Sequence, residues 1–95
     1  MDEKLIEKKL VNEVKKLGGL ALKLFSPFFT GLPDRLILLP GAKIWFAEIK
    51  TTGKDLSKRQ RIVKGILEGL GFTVFVIDDA DILALVVETL KNSQK

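Results

Sequence analysis

The sequence predicts an α/β fold, a mixed central β-sheet flanked by helices in the order α-β-β-β-α-β-α. Two observations carry this. Apolar residues recur at helical spacing in three segments, and short apolar runs of strand length lie between them, with Gly, Pro and Ser at the boundaries. At 95 residues the chain suits one domain, 1–95, and is too short for two.

Residues 2 to about 17 form the first helix: Ile6, Leu10, Val14 and Leu17 share a stripe, lysines lie elsewhere, and Gly18-Gly19 stops it. "LALKLF" (20–25) is a short strand, and "SPFFTGLP" is a loop broken by two prolines and a glycine. Strands follow at about 34–39 and 43–50, joined by the turn "LPGAK". Ser57 is an N-cap with Gln60 three residues on, and Val63, Ile66, Leu67 and Leu70 make the buried stripe of the second helix. "FTVFVI" (72–77) has the continuous apolar character of a strand covered on both faces. The last helix opens on "DDAD" and runs to about Leu90. The strand–helix–strand crossover from 43 to 77 predicts parallel pairing.

Composition narrows the chemistry. The chain has no Cys, His or Tyr, which removes disulfides, Cys/His zinc sites and Cys- or Ser-His nucleophile pairs. Any catalysis must use Asp, Glu, Lys, Arg, Ser or Thr, or a metal held by oxygen. The net charge of +4 favours a polyanionic partner. No apolar run is long enough to span a membrane and "MDEKLIEKKL" lacks a signal-peptide core, so the expectation is a soluble, cytoplasmic protein. The core of so small a domain is modest, and a homodimer would add burial.

The central stretch "GLPDRLILLPGAKIWFAEIKTTG" places charges in strands that otherwise read as buried. Side chains alternate along a strand, so Glu48 and Lys50 share a face, roughly 7 Å apart. Asp34 joins them only if the hairpin has an odd-numbered or bulged turn; an even loop turns Asp34 to the opposite face. An odd or bulged turn around Leu39–Lys43 is therefore expected. Two adjacent carboxylates repel, and Lys50 or a divalent ion such as Mg²⁺ would relieve them. The competing structural reading has Asp34 capping a turn and Glu48 in an edge-strand ion pair with Lys50.

These residues resemble a known family. G-x-P-D-R at Gly31 to Arg35, E-x-K at Glu48 and Lys50, and Q-R at Gln60 and Arg61 are similar to the virus-type replication-repair nuclease (VRR-NUC) domain, a branch of the PD-(D/E)XK superfamily with a restriction-endonuclease-like core. The resemblance extends over the opening helix and "GFTVFVID". It implies a Mg²⁺- or Mn²⁺-dependent DNA endonuclease without organic cofactor, with Asp34, Glu48 and the Ile49 carbonyl as metal ligands and Lys50 as the catalytic lysine. Small stand-alone phage members look similar to Holliday-junction resolvases and are expected to dimerise. No fused module is evident here, which favours that branch.

The superfamily often adds an acid from the first helix. Glu7 lies inside the apolar arc and matches the family position; Glu13 lies at its edge, and Glu3 lies in the arc at a terminus expected to fray. Gln60 reads either as half of a capping box or as a residue of the catalytic centre. Lys54, Lys58, Arg59, Arg61 and Lys64 crowd the region after the proposed catalytic strand and are candidates for phosphate contacts, with Lys23 and Ser26 as weaker ones. "LFSPFF" is a dimer contact, a wedge near a DNA branch point, or part of the core. Two other functional readings remain: an inert nucleic-acid-binding module, against which the intact Asp34, Glu48 and Lys50 argue, and an RNase H-like site at Asp78, Asp79 and Asp81, where acids more often cap a helix.

Overall fold

The computed structural model describes residues 2–95, and its elements follow the predicted order: α1 (Glu3–Lys16), β1 (Leu20–Lys23), β2 (Arg35–Leu39), β3 (Lys43–Ile49), α2 (Lys58–Gly69), β4 (Val74–Ile77) and α3 (Ala80–Asn92). The four strands form one sheet in the order β1-β2-β3-β4. The first two pairings are antiparallel and β3–β4 is parallel, as the crossover through α2 requires. β4 is shorter than the apolar run at 72–77. Phe72 donates its N–H back to Leu67 O at the end of α2, and Thr73 offers only its carbonyl, to Phe46 N.

The helices start where side chains replace missing backbone partners. Asp2 accepts the Leu5 N–H at 2.8 Å, and Asp79 accepts that of Ile82 at 2.8 Å. Ser57 and Gln60 form a complete capping box on α2.

The sheet has two unlike faces. Ile37, Leu39, Ala47, Ile49 and Ile77 point to one and form the main core with Ile6, Leu10 and Val14 of α1 and Leu83, Val86, Val87 and Leu90 of α3. Burial of each such Leu, Ile or Val contributes ~1.5–3 kcal/mol, so this face holds the fold together. The other face carries the alternate residues: register places Leu20 against Leu38 and Leu38 against Ile44, then Leu22 against Leu36 and Leu36 against Phe46. Only α2 lies over it, burying Val63, and the side towards β1 stays open, with Leu20 58% exposed. Phe46 meets Phe72 edge-on, with ring centroids 5.6 Å apart.

The β2–β3 turn is the three-residue Pro40-Gly41-Ala42, since Leu39 pairs with Lys43. Pro40 sets its own φ, Gly41 takes φ 88°, and Ala42 is left at φ 59°, a left-handed conformation that costs a residue with a Cβ about 1 kcal/mol. Ala42→Gly should therefore stabilise the protein by ~0.5–1 kcal/mol, read as a rise of several degrees in Tm by circular dichroism; an unchanged or lower Tm would contradict the strain at this turn.

Candidate metal centre

Three residues in the turn set the parity of the whole hairpin. The register pairs Arg35 with Ala47 and Leu36 with Phe46, so one step beyond Arg35 the chain sets Asp34 against Glu48. The next step sets Pro33 against Ile49. Lys43, Trp45 and Ala47 form the ladder pairs with β2, and Ile49 would be the next, but proline has no N–H to donate. The Ile49 N–H, which a continued ladder would direct to the Pro33 carbonyl, is instead accepted by Asp34 Oδ2 at 2.7 Å. The Ile49 carbonyl, on the same edge of the strand, has no ladder donor opposite it. Pro-Asp thus ends the pairing and leaves a carboxylate and a carbonyl at one place.

Glu48 is the buried acid of the chain, 4% exposed. Burial pushes its carboxyl up from 4.5 to about 8; hydrogen bonding to the adjacent Asp34 carboxyl and that group's charge push the same way, Lys50 opposes them, and Glu3 adds a small upward push. The two carboxyls are therefore neighbours, as the register requires. Among the described residues no salt bridge neutralises either one. Lys50 follows on the strand, half-buried, its N–H held by Ile77 O at 2.9 Å.

Gln60 uses the two ends of one amide for two different partners. Its Oε1 accepts the Ser57 N–H at 2.8 Å to complete the capping box, and its Nε2 donates to Glu48 Oε1 at 3.3 Å. The first turn of α2 is thereby tied to the buried acid. Two carboxyls and a carbonyl make an all-oxygen set with excess negative charge, which suits a hard divalent ion such as Mg²⁺ or Mn²⁺.

Glu7 is not brought to this pair. It accepts a 2.7 Å ion-paired hydrogen bond from Arg35 Nε, while Arg35 Nη1 donates to Ala21 O at 3.0 Å. The reason is the pleat: Arg35 is opposite Ala47, so it points to the α1 face, whereas Asp34 and Glu48 point away from it. The acid in the apolar arc is there to meet Arg35, a residue the sequence reading had treated only as part of a motif. Glu3, one helical turn earlier, is the α1 acid whose charge reaches Glu48. Among the described residues no three acids converge on one point.

No family model matches the chain. It is 44% identical over 80 residues to "Putative nuclease p44" of Acyrthosiphon pisum secondary endosymbiont phage 1, across 84% of this chain and 86% of that protein. A solved VRR_NUC domain aligns with a TM-score of 0.85 and 29% identity, covering 90% of this chain and 94% of its own. The chain belongs to the VRR-NUC family.

The basic residues of this VRR-NUC chain divide into free and engaged. Lys54, Lys58 and Arg61 are exposed around the start of α2, and Lys23 is exposed at the end of β1. Arg59 instead donates to Thr30 O at 3.0 Å and stacks over Phe29, and Lys64 pairs with Glu68 at 3.0 Å, so both already have partners within the chain. Ser26 Oγ accepts the Phe29 N–H at 3.1 Å. The RNase H-like alternative fails on geometry, because Asp79 serves as the N-cap of α3. "LFSPFF" does not fold back as core: Phe25 and Phe28 are exposed.

The raised pKa of Glu48 has a stability consequence. Folded Glu48 keeps a proton that the unfolded chain releases above 4.5, so its favourable contribution is complete below about 4.5 and is lost as pH rises through about 8. In metal-free buffer, Tm should decline between pH 5 and 8.5, and Glu48→Gln should flatten that decline. A wild-type slope identical to that of the variant would refute the buried-acid assignment.

Proposed function

We propose that this VRR-NUC chain is a Mg²⁺- or Mn²⁺-dependent, structure-selective DNA endonuclease that works as a homodimer on branched DNA such as four-way junctions. The observation that carries the reading is the juxtaposition of the Asp34 and Glu48 carboxyls with Lys50 on the same strand face. The phage relative bears the name of a nuclease, which supports phosphodiester hydrolysis and a role in phage-infected cytoplasm.

Asp34, Glu48 and the Ile49 carbonyl would hold the ion. When bound, such an ion polarises the phosphoryl group and lowers the pKa of attached water. Lys50 Nζ orients the attacking water and offsets charge growing on the phosphate oxygens. Gln60 Nε2 fixes the Glu48 carboxyl, and Asp34 is held by the Ile49 N–H, so both acids are aimed before substrate arrives. Of the α1 acids, Glu3 is the one whose charge is felt at Glu48, which supports it as an outer acid of the site in place of Glu7. Lys54, Lys58, Arg61 and Lys23 supply contacts to the DNA backbone, which carry no sequence preference. The homodimer reading is supported by exposed apolar residues on the open sheet face, Leu20, Leu22 and Ile44, and on α2, Ile62 and Ile66.

The decisive assay is cleavage of a labelled four-way junction with Mg²⁺ or Mn²⁺. Glu48→Ala should reduce the rate by at least 100-fold while junction binding persists. Absence of wild-type cleavage on branched, flapped and single-stranded DNA would instead favour an inert binding module. Binding should weaken steeply with salt, by roughly one logarithmic unit per decade of salt for each phosphate neutralised. A flat salt dependence would remove the basic surface from the interface.

A further inference from the structure

The loop between β1 and Asp34 has a feature the cleavage chemistry does not use. Phe28 is 98% exposed and Phe25 88%, although α2 and the open sheet face offer apolar surface nearby. We propose that Phe25 and Phe28 form a stacking platform for an unpaired nucleobase of the DNA, held beside the carboxyl pair. This rests on the nuclease reading and adds to it a determinant of substrate choice.

Three observations carry the argument. The first is position. Leu24 N donates to Asp34 O at 2.9 Å, closing the loop at its base, so Phe25 follows directly on the residue bonded to Asp34.

The second is rigidity. Ser26 Oγ accepts the Phe29 N–H, Arg59 stacks 5.3 Å from the Phe29 ring centre, and Arg59 Nε donates to Thr30 O. At Gly31 the loop presses so closely on α2 that a Cβ would lie 2.7 Å from Arg59 Cγ and 3.0 Å from Val63 Cγ2. Phe29 and Gly31 thus fasten the loop, and Phe25 and Phe28 are presented outward from a fixed base.

The third is charge. From Gly19 to Pro33 the sequence carries Lys23 and no carboxylate, so nothing on the loop repels a phosphate backbone. Isolated rings on an uncharged loop that follows Lys23 fit the flat face of a base. A fully paired duplex presents no such face except at its ends, whereas a branch point, gap or overhang does.

The experiment uses the full chain without metal, so that nothing is cut, and fluorescence anisotropy with two DNAs of equal length. One is fully paired and the other carries an internal single-stranded gap with 2-aminopurine at an unpaired position. Phe25→Ala/Phe28→Ala should weaken binding to the gapped DNA by about tenfold or more and leave the paired duplex within twofold. The 2-aminopurine emission should be quenched by wild type and not by the variant, and Phe25→Trp/Phe28→Trp should restore both effects. Both rings are exposed, so the variants should keep the wild-type Tm.

Equal losses on the two DNAs, or no loss on either, would overturn the proposal. So would a shift from dimer to monomer in sedimentation equilibrium, which would make the rings a contact between copies. If wild type binds neither DNA, the nuclease reading falls as well; if it cuts branched DNA but the variants do not discriminate, only the stacking platform falls.

Discussion

The register of β2 against β3 is the constraint on which the remaining features depend. A three-residue turn sets Leu39 against Lys43, and every later pair follows until Asp34 faces Glu48. A shift of one residue would send Asp34 to the helix-covered core and expose Ile37 and Leu39. The burial of the hairpin and the assembly of the acid pair are therefore one structural fact. Pro33 completes it by withholding the donor that the Ile49 carbonyl would otherwise meet, while the Asp34 carboxylate takes the Ile49 N–H in place of a main-chain carbonyl.

Such a site works against stability. Placing one carboxyl beside another in a buried position raises the proton affinity of Glu48, and the surroundings compensate only in part. Gln60 provides one neutral donor, Lys50 a partly buried charge, and Asp34 is satisfied by a backbone N–H. The residual charge imbalance is what a bound cation would relieve, and a protein built for stability alone would place apolar side chains there.

The two sheet faces divide the labour. The α1–α3 side carries the main core, reinforced at its edge by the Glu7–Arg35 pair, which ties α1 to β2 immediately beside Asp34. The α2 side is thinly covered, and it is here that the acid pair, the capping glutamine and the aromatic loop come together. Arg59 places a charge on this side through a stacked ring and a carbonyl that fasten the aromatic loop.

Much of this was legible from the residues. Apolar periodicity, the Ser57–Gln60 box and the turn residues determine the order of elements, because they act within a few residues of one another. Alternation along β3 put Glu48 and Lys50 on one face, and the need for an odd turn followed from the pleat. What only the tertiary structure decided involves partners distant in the chain. Helical angle placed Glu7 and Glu3 on the same side of α1, but the pairing of Glu7 with Arg35, 28 residues away, depended on how α1 crosses the sheet. The division of the arginines and lysines into fasteners and free charges likewise depended on a loop laid against α2. Local sequence sets what each segment can bury; the packing of segments decides which charge meets which.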